Sequence, residues 1–418
     1  MKPLKASGVK LRQMKEPALS NKIMRVPVPS ELIVPLFNFD GGSMLPIPRT
    51  GETVAKYSML ARSKNGSCWT ITPSSGKLTH IERFDHPLMG KVMCAHIKTG
   101  VVSHEVQPMP HNPATMTPEG ILRCVAQASI IDEVDGIPVQ RKIQEGVAKG
   151  ALLLVADGLD DSSYVSSGLK TISEYGDAVA DGVSMVLKML KGGKAKLAVY
   201  NTGGINMEEL LDRVGFIDTV EVAGGYPAWF AFERQYCSEP YIRMGVQALK
   251  AVSEAVRKGI PQTEFMMTVA GDCVPVPANV FVTTGTTVAD VLNTVGLSRE
   301  PKCVVIGDAM TGVTVTDPDT PLFPGIRCVI AMSERTQNEQ TACIGCGRCV
   351  EVCPRRLFPS EAVKMVEQKR PIIAAQYGAE KCIGCGACSA VCPSGIEISA
   401  LMLKLRDYSE KHKEREGV

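Results

Sequence analysis

The sequence predicts a multidomain α/β protein whose domains differ in their content of strand and helix. Three observations predict it. The chain has 418 residues, its hydrophobic pattern changes along its length, and one cysteine spacing occurs twice near the C-terminus. A chain of this length holds roughly two to four domains. Apolar residues make up 44% and charged residues 22% of the chain, which is ordinary for a globular protein.

Residues 1–25 are polar and rich in lysine, so we expect an extended N-terminal arm. Residues 26–105 contain short runs of β-forming residues, such as Glu31–Pro35 and Lys77–Ile81, separated by glycine and proline. Short strands with frequent turn residues are typical of a small all-β domain. The histidines of this region and just beyond it share no ligand spacing and are expected at the surface or in packing: His80, His86, His96, His104 and His111.

The next two segments mix strands with helices. In residues 106–264, strand-like runs such as Lys196–Tyr200 alternate with helical patterns such as Thr171–Lys191, which predicts an open α/β domain. Residues 265–336 return to strands, with one helix that begins near Thr286, a residue able to cap it. One helix on a small mixed sheet indicates a β-grasp-like module.

Two cysteine runs have the spacing C-x2-C-x2-C-x3-C followed by proline. Three thiolates at this spacing can wrap one iron–sulfur cube, while the fourth reaches a second cube. The predicted cofactors are therefore two [4Fe–4S] clusters. The predicted ligands are Cys343, Cys346, Cys349 and Cys392 for cluster 1, and Cys382, Cys385, Cys388 and Cys353 for cluster 2.

Zinc and disulfides stay open as alternatives for these cysteines. A structural zinc site also takes four thiolates, but it usually pairs one C-x2-C with a distant one and leaves the third cysteine of each run without a role. The repeat lies in residues 337–398 with a helix candidate, Pro359–Gln368, between the two runs. This arrangement predicts a helical two-cluster ferredoxin domain, followed at residues 399–418 by an amphipathic helix that docks through Leu401, Leu403 and Leu405.

Composition excludes several classes of function. The formal net charge of +2 gives no basis for binding nucleic acid or an acidic membrane surface. No apolar run approaches the roughly 20 residues that span a bilayer, and no apolar stretch follows the N-terminal lysines, so we expect a cytoplasmic protein without a transmembrane segment. No nucleophile–base pattern and no phosphate loop indicates hydrolysis or group transfer.

Several segments resemble the RnfC electron-transport family. They are Thr72–Leu78, Thr268–Asp272, Thr283–Leu292, Ile306–Gly312 and Cys343–Pro354. The resemblance implies an RnfC-type barrel-sandwich domain, an α/β domain like the flavoprotein of complex I, an SLBB-like β-grasp domain and a two-cluster ferredoxin domain. It also implies an FMN site fed by NADH, and a protein able to dock peripherally on a membrane complex.

The sequence departs from the family where the flavin would bind. The glycine-rich phosphate loop of the family corresponds to Ile131–Gln140, which has one glycine and three acids, and carboxylates repel a phosphate. In Asp157–Tyr164, Ser162 replaces an acid of the family pattern. We therefore expect neither FMN nor direct oxidation of NADH, although an FMN-dependent NADH-oxidising or cobalamin-reductase-like enzyme and a cluster-braced structural adaptor remain alternatives.

An RnfC-like chain with an altered flavin site is similar to the electron-transfer proteins associated with D-proline reductase (the PrdC group). This resemblance implies single-electron relay to a terminal reductase such as D-proline reductase, from a donor that the sequence does not name. It also implies a redox-active thiol outside the clusters. Cys68, which precedes Trp69, is the candidate for that catalytic role, and a buried cysteine of the β domain is the alternative.

Overall fold

The computed structural model describes residues 2–37, 39, 42–66, 68–101, 103–202, 206–334 and 339–416, with side-chain burial described to residue 411. The N-terminal segment adds one strand to each of two later sheets. Its elements are β1 Leu4–Ala6, α1 Glu16–Ser20 and β2 Met24–Arg25. β1 runs parallel to Val222–Gly224, and β2 runs parallel to Val280–Phe281. The expected arm is thus bound along its length to the domains that follow it.

Two antiparallel sheets form the first domain. Its strands are β3 Glu31–Pro35, β4 Met44–Pro46, β5 Thr53–Val54, β6 Met59–Ser63, β7 Trp69–Ile71, β8 Gly76–His86 and β9 Gly90–Thr99. The sheet orders are β3-β9-β8-β5 and β4-β6-β7. Leu32, Leu60, Leu78 and Ile97 are almost completely buried between the sheets. A bulge shifts the register of β8 against β9 between Leu78 and His80.

A five-stranded parallel sheet with helices on both faces forms the second domain. Its elements are α2 Pro118–Gln127, α3 Val139–Ala148, β10 Leu153–Gly158, α4 Ser167–Leu187, β11 Lys194–Tyr200, α5 Met207–Leu211, β12 Asp218–Gly224, α6 Trp229–Tyr236, β13 Tyr241–Gly245 and α7 Val246–Arg257. The order is β1-β12-β11-β10-β13. α4 and α7 pack on one face, and α6 packs on the other. Parallel strands need such crossover helices, and because the helices cover both faces, the strand centres at residues 154–156 and 197–199 are completely buried.

A mixed six-stranded sheet with one helix forms the third domain. Its elements are β14 Glu264–Ala270, β15 Ala278–Thr283, α8 Val288–Val295, β16 Cys303–Ile306, β17 Val313–Thr314 and β18 Cys328–Met332. The order is β17-β16-β18-β14-β15-β2. Thr287 caps α8 in a capping box with Asp290. Apolar side chains of α8, among them Val291 and Leu292, then pack on the sheet.

Short helices form the C-terminal domain. They are α9 Arg348–Glu351, α10 Pro359–Glu367, α11 Pro371–Ala375, α12 Ala387–Ala390 and α13 Ile398–Glu416. The most buried residues on α13 are Ile398, Met402 and Leu405, spaced one helical turn apart. Leu401 and Leu403 are only half-buried, so the docking face is turned slightly from the expected one. Among the described residues, no helix has both the length and the apolar character required to cross a membrane.

Candidate iron–sulfur centres

The two cysteine runs share one backbone conformation. Four glycines in them have a left-handed backbone: Gly345 (φ +69°) and Gly347 (φ +76°) in the first run, and Gly384 (φ +68°) and Gly386 (φ +77°) in the second. This conformation costs other residues about 1–2 kcal/mol. Gly347 and Gly386 stand directly before α9 and α12, which carry the third cysteine of each run. Each run therefore folds back around a central space.

Four thiols drawn from both runs form a first group around Cys349. Cys349 is buried on α9, and burial raises the pKa of its thiol. Cys343, Cys346 and Cys392 lie close enough to raise that pKa further through their negative charge. Because Cys392 belongs to the second run, this group is shared between the runs.

A second group surrounds Cys388 in the same way. Burial raises the pKa of the Cys388 thiol to about 12, and Cys385, Cys382 and Cys353 raise it further. Burial also raises the pKa of Cys385 to about 11, again beside Cys353 and Cys382. Cys353 belongs to the first run, so each run gives its fourth cysteine to the other group. The ligand sets expected from the spacing stay a prediction, and thiols that are protonated here would lose their protons on binding a metal.

The separation of the sulfurs distinguishes between metals. Four thiolates at about 2.3 Å from a zinc ion are about 3.8 Å from one another in a tetrahedron. Within the described residues, a set of three His, Cys, Asp or Glu ligand atoms all within 4.8 Å of one another occurs at Glu31, His80 and His96, and not among the cysteines. Among the described residues, no three cysteine sulfurs therefore have the compact spacing of a zinc site.

Apolar side chains fill the space around both groups. Leu357, Ala374, Ile396 and Met402 are buried against the cysteines. The two groups differ in their access to solvent: Cys346 is exposed and its neighbour Ile344 is 70% exposed, whereas Cys385 is only partly exposed and Ile383 is 39% exposed. The first group therefore lies nearer to the surface.

The second group faces the rest of the protein. Gly386 packs against the β16–β17 loop so closely that a Cβ atom there would lie 2.5 Å from the carbonyl oxygen of Met310. Tyr226, in the loop that follows β12, is near enough to Cys385 for the thiolate to raise its pKa, although burial is the larger cause. Arg355 anchors the first run: its guanidinium lies over Phe230, 4.7 Å from the ring centroid.

Paired charges occupy the crevice at the carboxyl ends of the parallel strands, where open α/β sheets bind their ligands. Asp157 forms an ion pair with Arg243 at 2.5 Å, and Asp160 forms one with Arg327. Asp161 accepts a hydrogen bond from the backbone N–H of Ala228 at 2.5 Å, and burial raises its pKa to about 6. Protein groups therefore satisfy each of these three carboxylates.

The segment that corresponds to the flavin-phosphate loop caps a helix of this chain. Glu133 is 6% exposed, and its carboxylate accepts hydrogen bonds from the backbone N–H groups of Gln247 (2.7 Å) and Ala248 (3.0 Å) at the start of α7. Burial raises the pKa of Glu133 to about 8. A Cβ at Gly245 would lie 2.1 Å from Glu133 Cδ, so this close approach requires glycine. Asp132 accepts a hydrogen bond from Gly245 N at 3.0 Å. The residues present do not fit a phosphate here, because the backbone N–H groups at the start of α7 already donate hydrogen bonds to carboxylates.

Cys68 lies apart from both cysteine groups, in the first domain. It is half-buried against the β core, and its Sγ lies 3.9 Å from the carbonyl oxygen of Phe37. With Trp69 and Phe323 it lines a cavity of about 80 Å³.

The sequence did not predict the Glu133 cap or the closeness of His80 to His96. The three acids within Ile131–Gln140 could have indicated the Glu133 cap. The contact between His80 and His96 depends on strand register, which a short sequence pattern does not show.

Two family models match this chain. The RnfC barrel-sandwich hybrid domain matches residues 5–101, and the 4Fe–4S dicluster domain matches residues 342–396. These matches confirm the predicted barrel-sandwich domain and the predicted iron–sulfur domain of a mixed α/β multidomain protein.

Curated relatives match most of the chain. A subunit of the proton-translocating ferredoxin:NAD(+) oxidoreductase complex of Clostridium ljungdahlii is 24% identical over 380 residues, which cover 84% of this chain and 82% of the relative. A subunit of the ion-translocating oxidoreductase complex of Vibrio cholerae is 25% identical over 379 residues, which cover 81% of this chain and 47% of the relative. The chain thus spans about half the length of the Vibrio protein. The chain is similar to RnfC proteins, as the sequence motifs predicted, and these similarities support iron–sulfur electron transfer.

Among solved structures, a chain of the NAD+-reducing [NiFe]-hydrogenase in the H2-reduced state has a TM-score of 0.49 and 14% identity, covering 73% of this chain and 62% of that chain. Similarity at that level implies nothing about the function of this chain.

Proposed function

We propose that this chain is an electron-transfer protein that holds two [4Fe–4S] clusters and serves a larger oxidoreductase system. The observation that carries the proposal is the exchange of one cysteine between the two thiol groups. The ligands would be Cys343, Cys346, Cys349 and Cys392 for cluster 1, and Cys382, Cys385, Cys388 and Cys353 for cluster 2. Such clusters, when bound, supply one-electron redox chemistry.

The protein around the cysteines would determine at which cluster electrons are exchanged with a partner. The apolar core of the C-terminal domain shields the buried sulfurs, such as those of Cys349 and Cys388, from water, which lowers the local dielectric and tunes cluster potential. The exposed edge near Cys346 and Ile344 offers the shorter approach to a redox partner in solution. The edge near Cys385 and Tyr226 faces the α/β crevice and the third domain, which we propose to be SLBB-like. We infer that an external partner docks at the first edge.

We infer that the α/β domain binds no FMN, and that electrons come from a protein donor rather than from NADH. This inference is supported by the carboxylate of Glu133 at the start of α7 and by the ion-paired aspartates of the crevice. We propose a terminal reductase as acceptor, with D-proline reductase the first to test because of the resemblance to the PrdC group. Alternatively, the exposed edge near Cys346 and Ile344 would dock on an ion-translocating complex, as the names of the curated relatives suggest.

The test is metal and flavin analysis of anaerobically reconstituted protein. We expect about eight iron atoms per chain, a broad visible absorbance that dithionite bleaches, and no flavin released by heating. Cys346→Ser should lower the iron content towards about four per chain. Cys124→Ser, outside both groups, is the matched control and should leave the iron content unchanged. Zinc in place of iron would refute the proposal, released flavin would restore the NADH-oxidising alternative, and a cluster that does not change redox state would indicate a structural adaptor.

A further inference from the structure

Two histidines and two glutamates converge on the outer face of the first domain. His96 lies on β9 between its neighbours β3 and β8, and it is paired with His80 of β8. The two imidazole rings are stacked, with centroids 4.0 Å apart. Glu31 of β3 and Glu82 of β8 lie on the same face, and one ligand atom from each of Glu31, His80 and His96 lies within 4.8 Å of the other two.

The bulge in β8 produces this arrangement. Leu78 is buried in the core between the sheets, and strict alternation along the strand would direct His80 to the core as well. The bulge places Leu78 opposite Ile97 and His80 opposite His96, so that Thr79 is the additional residue. His80 and Glu82 consequently face outwards, while Ile81 packs on the core. Bulges of this kind commonly redirect a side chain at a functional position.

The two imidazoles differ in their neighbours: one nitrogen of His80 lies beside a hydroxyl group, whereas both nitrogens of His96 lie beside carboxylate oxygens. The Nδ1 atom of His80 lies 3.1 Å from the hydroxyl of Thr79, which leaves Nε2 of His80 for a ligand. The Nε2 atom of His96 is buried, makes no hydrogen bond among the described residues and lies 3.1 Å from Glu82 Oε1. Its Nδ1 atom lies 3.2 Å from Glu31 Oε1. Metal-binding histidines typically have their second nitrogen next to a carboxylate or hydroxyl in this way.

The 3.2 Å between Glu31 Oε1 and His96 Nδ1 matches a tetrahedral transition-metal site, and one ligand atom of His80 lies within 4.8 Å of one from each of these residues. Because the two imidazoles are stacked, the half-exposed ring of His80 must turn to direct its nitrogen at an ion held by His96. Zinc lies about 2.0 Å from nitrogen and oxygen ligands, which places two such ligands about 3.3 Å apart. We propose that Glu31, His80 and His96 bind one divalent transition-metal ion of the zinc type, with Glu82 and Thr79 as positioning residues. The side chains of Glu31 and His80 are about half exposed, so water can complete the coordination. A bound ion would join β3, β8 and β9.

The test is zinc binding to the full-length protein with its iron–sulfur clusters reconstituted. Zinc and iron are measured together after equilibrium dialysis, and X-ray absorption at the zinc edge reports the ligand atoms. We expect one zinc per chain with nitrogen and oxygen ligands at about 2.0 Å, and unchanged iron. His80→Ala and Glu31→Gln should each weaken zinc binding at least about tenfold, and Glu82→Gln by about 10- to 100-fold.

His111→Ala is the matched control, since His111 is exposed and lies outside the three strands. It should bind zinc like the parent protein. The proposal is overturned if zinc binds with equal affinity to the His80 and His111 variants, if the measured ligand distance is the 2.3 Å of sulfur, or if no zinc remains on the parent protein after dialysis. Because His80 and Glu31 are half exposed, their variants should keep the core intact, and an unchanged thermal unfolding midpoint verifies that the first domain of each variant is folded.

Discussion

Adding a methyl group at Gly386 should weaken the packing of the C-terminal domain on the third domain. The new Cβ of Gly386→Ala would lie 2.5 Å from the carbonyl oxygen of Met310, inside normal contact distance. The loop cannot yield easily, because Asp308 Oδ1 accepts hydrogen bonds from the backbone N–H groups of Met310 (2.6 Å) and Thr311 (2.8 Å). Overpacking of this kind costs about 1–3 kcal/mol.

The equivalent glycine of the first run isolates this contact. Gly347 has a φ of +76°, against +77° for Gly386, but no atom lies within 4 Å of its added Cβ. Both alanine variants bear the same backbone cost of about 1–2 kcal/mol, so their difference reports the contact with Met310. That difference of about 1–3 kcal/mol corresponds to roughly 5- to 150-fold faster local opening.

Hydrogen–deuterium exchange of the anaerobic protein measures this opening. Amides of the β16–β17 loop should exchange faster in Gly386→Ala than in Gly347→Ala, with equal iron content in the two variants. Equal exchange in both variants, or faster exchange in Gly347→Ala, would refute the packing that we describe.

Three further predictions concern the remaining domains. Gly182→Ala on α4 would place a Cβ 2.0 Å from Leu249 O and should destabilise the protein by about 1–3 kcal/mol in thermal or urea unfolding. The control is Gly120→Ala on α2, whose new Cβ would have its nearest contact at 3.4 Å and should change stability by less than about 1 kcal/mol. Burial lowers the pKa of Lys15 to about 8, below its ordinary 10.5, so the unfolded chain binds more protons than the folded one between these two pH values. The free energy of unfolding should therefore rise as the pH increases from about 8 to 10.5. Lys15→Met should flatten that rise when unfolding is measured across this range. If Cys68 is a redox thiol, iodoacetamide should alkylate it at neutral pH faster than Cys124, whose pKa burial raises, and slower alkylation would contradict that role.

Local patterns of the sequence predicted the iron–sulfur domain well. The spacing of each cysteine run lies within a dozen residues, and the glycines that turn it, such as Gly347 and Gly386, lie inside it. The assignment of Cys353 and Cys392 to opposite groups follows from the same rule for two-cluster proteins. The alternation of strands and helices predicted the α/β domain, because each element there is long enough to show its period.

Features that depend on distant pairing could not be predicted. His80 and His96 meet only because a bulge alters the register of β8, and register is set by the whole sheet. The acids of residues 131–140 indicated that the loop would not hold a phosphate, but not that Glu133 caps a helix more than one hundred residues later. Strands of two or three residues, such as β1 and β2, are too short to show a period.

Because the N-terminal segment supplies one strand to the second domain and one to the third, the first domain is inserted in the sequence between these strands and the sheets that they join. β1 completes an edge of the α/β sheet, and β2 completes an edge of the third domain's sheet, so the chain visits both before it forms the barrel-sandwich. A variant that starts at residue 26 would uncover the outer edges of β12 and β15. Unpaired strand edges recruit other chains, so we expect such a truncated variant to aggregate even though its cysteines and its apolar cores are intact.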